Sequence, residues 1–96
     1  MIDKEYITKV LIAKKLELMD KYHLKFIGIF GSFAREDSRD NSDIDILIDY
    51  NQPIGIEFID LARELESILD RKVDLVSYNG IKHKYLEEIQ KDLIYV

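Results

Sequence analysis

The chain has 96 residues, with 14 lysines and arginines against 19 aspartates and glutamates, a formal net charge of −5. That length predicts one domain, residues 1–96, and the acidic balance argues against sequence-independent nucleic-acid binding, which needs a basic face. Cysteine is absent, which excludes disulfides and thiolate metal sites; no apolar run reaches membrane-spanning length, and the charged start Met1-Ile2-Asp3-Lys4-Glu5 lacks a signal-peptide core, so a cytoplasmic protein is expected.

Ile7, Val10, Leu11 and Leu18 recur at near-helical spacing and predict a first helix over about residues 3–22. Lys25-Phe26-Ile27-Gly28-Ile29-Phe30 reads as a short buried strand, followed by a turn with one helical turn from Ser32 to Glu36 and a polar loop from Asp37 to Ser42. The second strand runs from Asp43 to Tyr50, with Ile44, Ile46 and Ile48 on one face and Asp43, Asp45, Leu47 and Asp49 on the other. Pro53 marks a loop, and Phe58, Leu61, Ala62, Leu65, Ile68 and Leu69 make the buried face of a helix over about residues 55–70. A third strand follows at Lys72–Ser77, closed by an Asn79-Gly80 turn. The last helix covers about residues 82–91, with Ile81, Tyr85, Ile89 and Leu93 spaced by four.

The expected architecture is α/β (α+β): a three-stranded mixed sheet flanked by about four helices. The short link between the first two strands predicts antiparallel neighbours, and the helix between the second and third allows a parallel crossover. Gly31, Asp43, Asp45 and Asp74 then fall at one edge of the sheet. Tyr85, Ile94, Tyr95 and Val96 leave an apolar C-terminal end, which either contributes to a protein interface or packs back on the first helix.

Three carboxylates at one edge repel one another: two unit charges 4 Å apart cost about 4 kcal/mol at an effective dielectric near 20. A divalent cation removes that cost, and a donor set of oxygens without His or Cys favours Mg²⁺, with Mn²⁺ as a substitute. Asp43, Asp45 and Asp74 are therefore candidate ligands of a two-ion site for phosphoryl displacement, Asp74 also being placed to take the acceptor's proton. Gly31 and Ser32 are candidates for holding the phosphates of ATP, since glycine admits close backbone approach and Ser32 adds an N–H and a hydroxyl. Arg35, one turn on, can contact the leaving pyrophosphate or pair with Asp37 or Asp43.

Other phosphate and metal motifs fail. No glycine stands at the sixth position after Asp37 or Asp43, so an EF-hand loop is excluded, and no Gly-Lys-Ser/Thr exists for a Walker loop. His23 and His83 have no clustered partners and read as solvent or cap residues. Asp-x-Asp alone is a weak signal, equally at home as a solvated strand edge on a small domain that binds no nucleotide.

The full string Gly31-Ser32, ten residues, Asp43-x-Asp45, with Asp74 in an apolar strand about thirty residues on, resembles the polymerase-β-type nucleotidyltransferases. More closely, the chain is similar to minimal nucleotidyltransferase (MNT) domain proteins. That resemblance implies the nucleotidyltransferase fold and the role of an antitoxin against a HEPN-domain ribonuclease toxin, in a hetero-oligomer, silenced by transfer of AMP from ATP to a tyrosine hydroxyl. It matches Gly31 and Ser32 to the family's phosphate pair, Asp43 and Asp45 to its metal pair, Asp74 to its third carboxylate, and Arg35 to its usual arginine. Glu36 stands where the family often has glycine; it would be strained if the position needs positive φ, and harmless if the helical turn runs on. A chain this small is expected to leave the opposite wall of the cleft to its partner. The alternative is a non-catalytic antitoxin that neutralises the toxin by binding and masking it.

Overall fold

The computed structural model describes residues 2–52 and 55–96; Pro53 and Ile54, in the loop expected from the sequence, lie outside them. Helix α1 (Lys4–Tyr22) starts where the Asp3 side chain accepts a hydrogen bond from the Tyr6 N–H at 2.9 Å. It stops at His23, which turns left-handed at φ 58° and returns its N–H to the Met19 carbonyl. His23 is thus a cap, and His83 is exposed and paired with Glu87 at 3.2 Å. After α1 come strand β1 (Leu24–Phe30), the five-residue helix α2 (Gly31–Arg35), strand β2 (Ile44–Tyr50), helix α3 (Glu57–Leu69) and strand β3 (Val73–Ser77). A 3-10 turn at Tyr78–Gly80, helix α4 (His83–Asp92) and strand β4 (Ile94–Tyr95) complete the order.

The sheet runs β3-β2-β1-β4. β1 and β2 are antiparallel and β2 and β3 parallel, as the connection lengths required. Alternation along β2 sends Ile44, Ile46 and Ile48 into one core with Ile27 and Ile29 of β1, Ile7, Leu11 and Leu18 of α1, and Leu61, Leu65 and Leu69 of α3. Each such side chain contributes about 1.5–3 kcal/mol on burial, so this layer supplies most of the driving force. Glu64 ties α3 to α1 across its rim, accepting from the Tyr22 hydroxyl at 2.6 Å and the Lys21 ammonium at 2.9 Å.

The second face of the sheet is not simply polar. Leu47, expected beside the aspartates, is fully buried outside the main core, and Leu86 and Ile89 of α4 are buried there too. The stripe of α4 therefore differs from the expected one: Leu86 takes the inward position and Tyr85 points out, 59% exposed. Spacing by four drifts around a helix with 3.6 residues per turn, and the 86/89 pair holds the face better. Asp49, at the far end of β2, is buried but satisfied, accepting from the Tyr50 N–H at 2.9 Å and the Asn79 amide at 3.1 Å.

Among the described residues the sheet has four strands rather than the three expected. Ile94–Tyr95 pairs antiparallel with Gly28 and Ile29, and the Val96 N–H donates to the Ile27 carbonyl at 3.0 Å. Two residues are too few to show a strand period, so only the pairing reveals β4. The C-terminal end thus neither stands free nor lies back along α1 as a whole: Ile94 and Val96 pack on the core while Tyr95 is 61% exposed. Gly28 makes room for this, because a Cβ there would lie 2.7 Å from Leu93 Cδ1 and 3.3 Å from the Ile94 carbonyl oxygen. Gly28→Val should cost about 1–3 kcal/mol in urea unfolding and strip the Val96 amide of its hydrogen-exchange protection, both read against the parent chain.

Candidate active site

Register decides what meets at the open edge of the sheet. Asp45 stands opposite Phe30 across the antiparallel pair and beside Asp74 across the parallel one. Phe30 leads directly into Gly31, whose φ of 74° turns the chain into α2. Gly31 is required twice over: its backbone is left-handed, and a Cβ on it would collide with the Asp45 carboxylate. The Gly31-Ser32 turn therefore rests directly on Asp45.

Burial differs among the three carboxylates. Asp43 and Asp74 are exposed and Asp45 is half-buried. Desolvation pushes Asp45 up to about 6 from its ordinary 3.8; repulsion from Asp74 and then Asp43 adds to it, as does a hydrogen bond shared with Asp74, and Arg35 opposes the rise. Asp74 is thus a direct neighbour of Asp45, and Asp43 acts on it through charge. The trio is an open arrangement: among the described residues no three acidic or imidazole side chains are gathered into a preformed metal cage. Its chemistry nonetheless fits a hard divalent cation, since every donor is oxygen and the central carboxyl, raised first by burial, also feels the like charge of Asp74 and Asp43.

Arg35 points along the same cleft, donating to Asp92 at 2.8 Å and to Asp37 at 3.1 Å. Of the two partners open to it from sequence, Asp37 is used and Asp43 is not; Asp92 was not foreseen. Glu36 settles the question its sequence position raised. It ends α2 with φ 66° and ψ 28°, so the position does require the left-handed conformation that glycine adopts without strain.

A cleft of about 350 Å³ is lined by Phe30, Gly31, Ser32, Arg35 and Asp45 together with Glu88, Ile89 and Asp92 of α4. The chain thus supplies part of the wall that was expected to come from a partner. Glu88 and Asp92 were missed as site residues, although their four-residue spacing places them on one helix face. A second cavity of about 350 Å³, lined by Ile2, Phe33, Ser38, Arg39, Asp40 and Arg71, contains none of the expected site residues.

A glycine-serine turn seated on an aspartate, with a second aspartate alongside, is the arrangement the sequence motif required. Residues 12–96 match the family described as polymerase beta, nucleotidyltransferase. The chain belongs to that family. It is 46% identical over 92 residues to a Methanocaldococcus jannaschii protein provisionally named as a protein adenylyltransferase, with 94% of each chain covered. It is 35% identical over 97 residues to the protein adenylyltransferase MntA of Thermococcus cleftensis, covering 100% of this chain and 98% of that one. Among solved structures it is similar to a protein provisionally named as a minimal nucleotidyltransferase, with a TM-score of 0.84, 27% identity, and 99% and 97% of the two chains covered. It is also similar to a chain of a toxin-antitoxin crystallised with AMP-PNP, with a TM-score of 0.74, 28% identity, and 86% of this chain and 69% of that one covered. The nucleotidyltransferase fold expected from the motif is the fold observed.

Two outcomes follow from this geometry. Because Asp45 binds its proton more tightly in the folded chain than in the unfolded one, its contribution to stability is fully present below about pH 4 and is lost as the pH rises through about 6. Asp45→Asn, which can donate to Asp74 at any pH, should melt higher than the parent at pH 7.5 without divalent ions, and the gap should close toward pH 4. Glu36→Gly should raise unfolding stability by about 0.5–1 kcal/mol, because relief of the left-handed strain outweighs glycine's extra chain entropy. Its lost exposed contact with Lys4, at 3.9 Å, should count for little.

Proposed function

We propose that this nucleotidyltransferase is an antitoxin that transfers AMP from ATP to a hydroxyl, expected to be a tyrosine, of a partner HEPN-domain ribonuclease toxin in the cytoplasm. The observation that carries the reading is the seating of Gly31 on Asp45, which joins a phosphate-holding turn to an acidic group in one cleft. Supporting it are the relative named protein adenylyltransferase MntA and the toxin-antitoxin structure with AMP-PNP.

Asp43, Asp45 and Asp74 would hold two Mg²⁺ ions, or Mn²⁺, which when bound neutralise phosphate charge and lower the pKa of an attacking hydroxyl. Ser32 donates from its N–H and hydroxyl to the terminal phosphates, where Gly31 lets the backbone come close. Arg35 must exchange its contacts with Asp37 and Asp92 for the leaving pyrophosphate, so the two acids keep the guanidinium in the cleft until substrate arrives. In the transfer the acceptor oxygen bonds to the α-phosphorus, the bridge to the β-phosphate breaks, pyrophosphate leaves, and exposed Asp74 takes the hydroxyl proton. The open cleft and the exposed Tyr85 and Tyr95 leave surface for a macromolecular acceptor.

Incubation of the chain with its toxin, Mg²⁺ and ATP labelled at the α-phosphate should place label on the toxin. Asp43→Ala with Asp45→Ala should lower the transfer rate by at least about a hundredfold, in line with losing the electrostatic core of a phosphoryl-transfer site. Neutralisation of the toxin without label, unchanged in that double variant, would instead establish masking.

A further inference from the structure

Arg71 follows the left-handed cap Asp70 at the end of α3 and stands three residues before Asp74. Its half-buried guanidinium folds onto main chain. Nε donates to the Ser42 carbonyl at 2.9 Å, and one terminal nitrogen donates to the Arg39 carbonyl at 3.3 Å and to the Asp40 carbonyl. The same group lies over the ring of Phe33, 5.4 Å from its centroid, and Phe33 is a buried residue of α2, the helix that Gly31 opens. The next residue continues the clamp, since the Lys72 carbonyl accepts from the Ile44 N–H at 2.9 Å.

These contacts bracket Asp43. Its preceding carbonyl belongs to Ser42 and is held by Arg71; its following amide belongs to Ile44 and is held by Lys72. Asp43 is itself exposed, at the end of the polar loop, with no ladder of its own to fix it. Arg71 lines the neighbouring cavity and not the cleft that contains Asp45, so it is placed to act on the site without touching nucleotide.

We propose that Arg71 is a positioning residue: it locks the loop before Asp43 to the segment before Asp74 and to α2, and so sets the spacing of the acidic group against the Gly31-Ser32 turn. This rests on the reading of Asp43, Asp45 and Asp74 as the metal-holding set. Arginine is needed because three carbonyls and a ring face are engaged by one planar group, which the point charge of lysine cannot reproduce.

The test compares Arg71→Ala and Arg71→Lys with Tyr22→Phe, which removes a hydrogen bond between α1 and α3 far from the loop in sequence and serves as a stability control. Mn²⁺ binding in the presence of AMP-PNP is measured by titration, and backbone mobility of residues 39–45 by amide NMR relaxation. Both Arg71 variants should weaken Mn²⁺ binding by roughly tenfold or more, the scale seen when partners that orient metal ligands are removed, and should loosen residues 39–45. Tyr22→Phe should do neither. Mn²⁺ binding within about twofold of the parent in both Arg71 variants, or equal weakening in Tyr22→Phe, would overturn the inference while leaving the proposed function standing. Absence of Mn²⁺–AMP-PNP binding by the parent chain would overturn both. If Arg71→Ala fails to fold, the lysine variant decides, since it keeps the charge and the aliphatic stem.

Discussion

The contact between the Gly31 backbone and the Asp45 carboxylate fixes the rest of the site. Glycine is the only residue that fits, because φ is positive and the space a Cβ needs is already filled by Asp45. The contact brings a turn rich in backbone donors against a half-buried acid. It depends in turn on the register of the β1–β2 pair, which sets Phe30 opposite Asp45. A slip of one residue would send every aspartate of β2 into the isoleucine core and every isoleucine out. The burial of Ile44, Ile46 and Ile48 therefore aims the aspartates.

The site concentrates like charge at a place where burial already disfavours it. Asp45 meets Asp74 and Asp43 at the start of a parallel strand pair, and burial first, then their repulsion, holds its carboxyl at about 6. Clustered like charge that costs the free chain stability is a common mark of a functional site. Glu36 adds backbone strain nearby, a non-glycine residue in the left-handed region at the end of α2. Arg35, held between Asp37 and Asp92, and Arg71, spread over three carbonyls, supply the positive charge that keeps this edge of the sheet together.

Much of the fold was readable in the sequence because its signals are local. Two apolar strands joined by a short polar link, and a 13-residue helix between the second and third strands, leave little freedom in topology. What escaped was non-local. β4 is two residues long and exists only because β1 offers an edge and Gly28 offers room. Leu86 replaced Tyr85 on the inner face of α4 because the surface α4 packs on, β1 and α2, selects the residue that fits. The contribution of α4 to the cleft was missed for the same reason: no motif marks Glu88 or Asp92, and both join the site only through the packing of α4 beside α2.

Sequence alone singled out the groups proposed for the chemistry, since Gly31, Ser32, Asp43, Asp45 and Asp74 stand at spacings that three strands and a turn bring to one edge. It also fixed the choice of residue types, because oxygen donors without sulfur or imidazole suit a hard cation. Tertiary structure decided the rest: that Asp45 is the half-buried member, that Arg35 reaches Asp92, that the wall of the cleft is α4, and that Arg71 grips the loop before Asp43. Burial, charge coupling and long side-chain reach arise from elements distant in the chain, and no local pattern of residues encodes them.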